Sequence, residues 1–161
     1  MTRDPAVTSK IMAAVRSKDT EPEWLLRREL HRRGLRYRLH DRRLPGCPDL
    51  VFMRARAAVF VDGDFWHGHG WKERGFASWE EQFAGHRDPT KWRAKIARNI
   101  ERDREVDRLL AELGWRVLRV LESAIRSDVT AAADDVAALI ASGRVPPDHP
   151  TGRVVSIRGA L

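Results

Sequence analysis

A single cysteine, Cys47, is all the thiol chemistry this 161-residue chain holds. An internal disulfide and a cysteine-rich zinc cluster within the chain are both excluded. Apolar runs are short as well, and none approaches the roughly 20 residues of a membrane-spanning helix. The N-terminus carries no apolar core of the signal-peptide kind, so a cytoplasmic protein is expected. Acidic charge is the scarcer sign. Asp and Glu number 23 against 30 Lys and Arg, which gives a net charge of +7 and points to a polyanionic partner. The imbalance is concentrated between residues 16 and 43, where ten basic residues face five acidic ones. With 33% charged and 42% hydrophobic residues, the composition is that of a polar-surfaced globular protein, and its length suits one domain with a real core.

What is present falls into a readable order. Residues 8–17 suggest a short helix carrying Ile11, Met12 and Val15. Thr20 then has the character of an N-cap, with Pro22 in the first turn and Glu23 at the reciprocal capping position. The helix that follows should run to about Arg33, with Trp24, Leu25, Leu26 and Leu30 on its apolar face and Gly34 as its stop. Residues 35–40 alternate loosely as a strand, Pro45-Gly46-Cys47-Pro48 is a turn, and residues 49–53 and 57–62 read as core strands. From Gly63 to Pro89 the chain is irregular and rich in Gly, His and Trp. Residues 90–113 predict a long amphipathic helix with Trp92, Ile96, Ile100, Val106 and Leu110 inward and Gly114 at its end. A strand over residues 115–121 and a helix over roughly 129–142 complete the pattern. The order fits an α/β fold, a small mixed sheet with helices on both faces and a parallel crossover before the last core strand. One domain is expected over residues 1–143, with a poorly ordered tail over 144–161 to which Val154, Val155 and Ile157 offer apolar anchors.

The chemistry is concentrated in Phe60-Val61-Asp62-Gly63-Asp64-Phe65-Trp66-His67-Gly68-His69 and in Pro48-Asp49. Pro-Asp and Asp-Gly each have an ordinary turn reading. Together, at the ends of adjacent strands, Asp49 and Asp62 would stand side by side at one sheet edge. Paired carboxylate oxygens with a nearby imidazole suit a Mg²⁺-dependent phosphodiester hydrolase with one or two ions. His67 is either a hydrogen-bonding loop residue or the acceptor of a proton from an attacking water. Asp64 is either a third ligand or a solvated loop residue. Phe65-Trp66 is either a satellite of the core or an aromatic wedge that enters a base stack. Asn99 and Asp103 lie beside the apolar stripe of the long helix, where burial calls for specific hydrogen bonds.

These segments resemble a known family. Ser9-Lys10-Ile11-Met12, Asp19-Thr20-x-x-Glu23, Leu44-Pro45-Gly46-x-Pro48-Asp49, Phe60-x-x-Gly63-x-Phe65-Trp66-His67 and Trp92-x-x-Lys95-Ile96-x-x-Asn99-x-x-Arg102-Asp103 occur in the order and spacing of the very short patch repair (Vsr-type) DNA mismatch endonucleases. Leu113-Gly114-Trp115-Arg116-Val117-Leu118 extends the match, which spans roughly residues 9–122. The resemblance implies a three-layer α/β/α sandwich of the PD-(D/E)xK restriction-endonuclease-like superfamily, and nicking of one strand beside a T:G mismatch with a 5′-phosphate product. It implies Asp49 as metal-binding aspartate, His67 as catalytic histidine and Glu23 as a first-helix carboxylate of the active site. Phe65, Trp66 and Trp92 match intercalating aromatics, Met12 matches a residue entering from the minor groove, and Lys95 and Asn99 join them on the DNA. The implied partners are mismatched duplex DNA and a functionally linked cytosine-5 DNA methyltransferase, with the protein itself a monomer and no membrane involved.

Two departures from the family pattern stand out. Well-known members carry Thr-His where this chain has Val61-Asp62, so Asp62 and the backbone carbonyl of Val61 are expected in the metal shell. Members also hold a structural zinc through one histidine and three cysteines. The matching positions are Asp64, His69, Trp71 and Ser123, so no structural zinc is expected and packing of Phe65, Trp71, Phe76 and Trp79 should hold the loop. Two other functions compete with mismatch repair: a restriction or phage-defence nickase of the same fold, and a non-catalytic DNA-binding protein.

Overall fold

The computed structural model describes residues 18–142, apart from residues 70 and 73, together with a two-residue strand at Val154–Val155. Helix α1 spans Glu21–Arg32. Strands β1 (Arg38–Leu39), β2 (Leu50–Phe52) and β3 (Ala57–Asp62) follow. A 3₁₀ turn at Glu81–Phe83 lies in the long loop before helix α2 (Pro89–Glu112). Strand β4 (Arg116–Leu121), helices α3 (Glu122–Ser127) and α4 (Val129–Ala141), and β5 (Val154–Val155) end the order. The sheet runs β1-β2-β3-β4-β5, antiparallel for the first two pairings and parallel for the last two. The expected parallel crossover is thus β3–α2–β4.

Alternation along the strands divides the core between two faces. Leu50, Phe52, Ala57, Val59, Leu118 and Val120 pack against Leu26 and Leu30 of α1, Ile125 of α3 and Val136 of α4. Val51, Ala58, Phe60 and Val117 point the other way, onto Leu110 of α2 and Trp115. Helices therefore cover both faces, and each fully buried Leu contributes about 1.5–3 kcal/mol. The glycine stops behave as expected. Gly34 and Gly114 both take φ +77°, and the amides of Leu35 and Trp115 return to the carbonyls of Leu30 and Leu110.

Several expectations are corrected. Trp24 is 57% exposed, because Leu26 and Leu30 set the buried face of α1 and Trp24 lies some 200° around the helix from Leu26. The capping carboxylate of Glu23 accepts the amide of Asp19 at 3.1 Å, one residue earlier than the reciprocal pattern requires. The strand expected over 35–40 is only Arg38–Leu39, since the turn after α1 occupies Leu35 and β2 offers just three residues for pairing. Helix α3 was not anticipated; six residues are too few to display a period. The helix expected over residues 8–17, with Met12, lies outside the described residues, as does all of the tail except Val154–Val155.

Helix α2 is the long element that builds the site. Its 24 residues span about 36 Å, well beyond the roughly 20 Å of a six-residue strand. Its C-terminal half lies on the sheet, while its N-terminal half covers the loop after β3. Two glycines permit these contacts, both with positive φ. A Cβ on Gly46 would sit 2.5 Å from Val106 Cγ1, and one on Gly68 would sit 2.7 Å from Ile100 Cδ1. Gly46→Ala combines a left-handed backbone with that collision, so it should lower stability by about 1–3 kcal/mol in urea unfolding. A variant as stable as the parent would show that this approach of turn to helix is not tight.

Candidate active site

The start of β2, the end of β3, the loop after it and the middle of α2 surround a cavity of about 1060 Å³. Antiparallel pairing of Leu50 with Val59 brings Asp49 alongside the end of β3. There its Oδ2 accepts the Val61 amide at 2.8 Å. Asp62 closes the same strand, and both carboxylates line the cavity, as their positions at adjacent strand ends predict. Burial is the main force on Asp49, reinforced by the neighbouring charges of Glu23 and Asp62. It pushes the carboxyl up to about 7 against the opposing pull of the Val61 hydrogen bond.

Asp62 is already partnered. Arg119 Nη1 lies 3.1 and 3.0 Å from its two oxygens. The same guanidinium holds Asp107 on α2 at 2.9 Å, donates to the Asp103 carbonyl at 3.4 Å and stacks on Phe60, 4.3 Å from the ring centre. Burial opposes the Arg119 charge, but Asp62, Asp107 and Asp103 outweigh it and raise its pKa. The sequence carries a signal for this residue. Arg119 stands two residues after Val117 on the inward side of an apolar strand, and a buried guanidinium requires carboxylates.

His67 lies in the loop with its Nδ1 2.5 Å from Asp103 Oδ2 and its Nε2 3.7 Å from Asp62 Oδ1. Desolvation works against the imidazolium, yet the Asp103 hydrogen bond and the Asp62 charge prevail and raise the His67 pKa above its usual value. Desolvation likewise raises Asp103, but its bond to His67 and the Arg119 charge win and hold it low. An ionised carboxylate only accepts, so the His67 proton resides on Nδ1 and Nε2 is left toward the cavity. Asp62, His67 and Asp103 bring ligand atoms within 4.8 Å of one another, a group able to hold a cation.

Residues 2–73 match the sequence model of the family described as DNA mismatch endonuclease Vsr. The chain is 39% identical over 132 residues to the type II nicking enzyme V.NmeDIP of Neisseria meningitidis serogroup C, covering 82% of this chain and 84% of that protein. This chain belongs to the Vsr DNA mismatch endonuclease family. It is 40% identical over 123 residues to the DNA mismatch endonuclease Vsr of Escherichia coli (strain K12), across 76% of this chain and 74% of that one. The type II nicking enzyme V.NaeI of Lentzea aerocolonigenes is 39% identical over 139 residues, across 79% and 74%. The protein is therefore a DNA endonuclease of the Vsr family, and DNA is its substrate. Among the described residues no helix is long and apolar enough to cross a membrane.

In this Vsr-family chain an aromatic cluster stands beside the catalytic candidates. Phe65 and Trp66 meet edge to face at 5.3 Å, and Trp92, from the first turn of α2, lies 5.7 and 5.6 Å from them. Lys95 caps the pair of indoles, 4.7 Å from the Trp66 ring and 5.4 Å from that of Trp92. Asn99 lines the cavity and donates its amide to the Trp66 carbonyl at 3.2 Å. The loop packs differently from the expectation. Phe83 and His86 join Phe65 and Trp79 in the ring contacts, whereas Trp71 sits under Lys72 and Phe76 turns back to the Trp71 carbonyl. The reason is the turn at Glu81–Phe83, which drives Phe83 into full burial. Of the four positions matched to zinc ligands, Asp64 and Ser123 hydrogen-bond to each other through both the Ser123 amide and hydroxyl.

Glu23 is brought near this site but does not line its cavity. It is 2% exposed, and Arg27 Nη2 takes its Oε2 at 2.6 Å. Arg27 and His40 stand between Glu23 and Asp49; Arg27 is readable as the i,i+4 partner of Glu23 on α1, whereas His40 depends on a loop conformation that a pattern does not encode.

The Asp49 shift has a testable sign. Its raised pKa means that the metal-free native state holds a proton that the unfolded chain releases between about pH 4 and 7. Stability contributed by the protonated form is thus present at low pH and falls through that window. In EDTA at pH 8, Asp49→Asn should be more stable than wild type by about 2–4 kcal/mol, with the gap closing below about pH 4. Urea melts showing equal stability at pH 8 would place Asp49 in a solvated setting.

Proposed function

We propose that this enzyme is a Mg²⁺-dependent nicking endonuclease of the restriction-endonuclease-like α/β/α type, cutting one strand beside a T:G mismatch to leave a 5′-phosphate. The observation that carries this reading is the meeting, at one cavity, of half-buried Asp49, the His67–Asp103 pair and Trp66, against which Phe65 and Trp92 pack. A hard divalent cation fits the residues present. Asp49 is a desolvated carboxyl beside two further carboxylates, an excess of negative charge that a cation relieves. Asp49 and Asp62 would hold it, with the Val61 carbonyl, Asp62 sharing its oxygens with Arg119. Bound there, Mg²⁺ supplies Lewis-acid polarisation of the scissile phosphate and a more acidic water.

The protein groups divide the remaining work. Asp103 holds the His67 ring and its tautomer, and His67 Nε2 takes the proton of the attacking water. Phe65, Trp66 and Trp92 enter beside the mismatch, where a weakly stacked T:G pair makes insertion cheaper than beside a matched pair. Each base–aromatic stack contributes about 1–3 kcal/mol, enough to offset the unstacking. Lys95 adds positive charge next to these rings and toward the phosphate backbone.

A second reading draws on the comparisons themselves. V.NmeDIP and V.NaeI bear the name type II nicking enzyme at 39% identity, against 40% for the E. coli mismatch endonuclease, which favours a nickase attached to a restriction system. The two differ in the ratio of cutting on T:G and matched duplex.

A T:G oligonucleotide should be nicked with Mg²⁺ and left intact in EDTA. His67→Ala should slow the nick by about 10²–10⁴-fold, and Asp49→Asn by about 10³-fold. Trp66→Ala should lower the mismatched-to-matched ratio while the fold is kept. Wild-type cutting by Asp49→Asn would refute the metal assignment, and an unchanged ratio for Trp66→Ala would return the aromatics to the core.

A further inference from the structure

The residues between Glu23 and Asp49 have no part in the steps above, yet they hold an unusual set of unfavourable features. His40 follows β1 with φ +46°, the left-handed region, which costs a non-glycine residue roughly 1–2 kcal/mol. Asp19, at the other end of the same contacts, has φ +55°. Arg27, between them, buries its Nε with no hydrogen-bond partner. Backbone strain clusters at active sites and ligand clamps, and an orphaned buried donor calls for an explanation.

The contacts run in one direction. Arg27 is fixed by Asp19 Oδ1 and Glu23 Oε2, each at 2.6 Å. Its Nη2 lies 3.1 Å from His40 Nε2. A guanidinium only donates, so Nε2 accepts and the ring proton resides on Nδ1. That Nδ1 faces Asp49 Oδ1 at 3.5 Å, while the His40 amide donates to the Asp49 carbonyl at 3.2 Å. The other oxygen of the same carboxylate is held by the Val61 amide at 2.8 Å. β3 therefore orients one oxygen of Asp49 through a hydrogen bond, and the His40 ring meets the other by proximity at 3.5 Å.

We propose that His40 is a positioning residue of the nuclease: its Nδ1–H sets the Asp49 carboxylate for a divalent cation, and Glu23 and Arg27 set the ring. This assignment rests on Asp49 being a metal ligand. It gives Glu23 a role through Arg27 and His40 rather than in contact with DNA. Outer groups of this kind typically change metal affinity by about 10–100-fold.

The test compares His40→Gly and His40→Gln with wild type and Asp49→Asn in the full chain. Glycine relieves the left-handed backbone, so His40→Gly should melt at the same or a higher temperature. Its Mn²⁺ affinity without DNA, measured by electron paramagnetic resonance, should fall about tenfold or more. The Mg²⁺ concentration for half-maximal nicking should rise in parallel, with KM for DNA unchanged. Gln offers Oε1 to Arg27 and an N–H to Asp49 in the order of the histidine, and should restore most of the affinity. Wild-type Mn²⁺ affinity in His40→Gly, a lower melting temperature, or no recovery with Gln would each overturn the proposal. If Asp49→Asn binds Mn²⁺ as wild type does, the metal assignment itself fails, and His40 with it.

Discussion

One buried guanidinium ties the working end of this molecule together. Arg119 projects from β4 and meets Asp62 of β3 and both Asp107 and the Asp103 carbonyl of α2, with 7% of its surface exposed. Charges removed from water in this way are costly unless every partner is in place, and breaking such a pair typically costs about 3–5 kcal/mol. The network therefore acts on geometry more than on net stability. With Asp62 and Asp103 anchored to one cation, His67 sits between two carboxylates whose positions are set from below.

The architecture explains why the site forms at this edge. A parallel β3–β4 pair requires a crossover, and α2 supplies it. Being longer than the strands, α2 overhangs the sheet and gives the loop after β3 a surface to pack on. The antiparallel β2–β3 pair brings Asp49 to the same edge from the opposite chain direction. Sheet topology thus delivers the carboxylates, and the helix delivers Asp103, Lys95 and Trp92.

The strands and their alternation were legible because both faces of the sheet are covered and each residue choice is forced by burial. Gly34 and Gly114 were legible because only a left-handed residue closes those helices. Asp49, Asp62 and His67 could be read from strand ends and a loop crowded with polar and aromatic types. Trp24 is not legible from hydrophobicity alone, because its angle around α1 turns it away from the sheet-facing side held by Leu26 and Leu30. Phe83 and His86 were hidden inside a loop whose short 3₁₀ turn leaves no periodic trace. His40 was invisible for a different reason: its placement depends on a positive φ that neither its residue type nor its neighbours announce.

Asn99 and Asp103 are four residues apart and so lie one above the other on α2. The first holds the Trp66 carbonyl and the second holds the ring of the very next residue, His67. The indole and the imidazole are thereby neighbouring side chains on a single peptide unit, fastened at two points to one rigid rod. On the proposed roles, a duplex that does not seat the indole also fails to present the imidazole. On those same roles, fidelity would reside in the rate of the cut, and an enzyme resting on ordinary duplex would still be kept from damaging it.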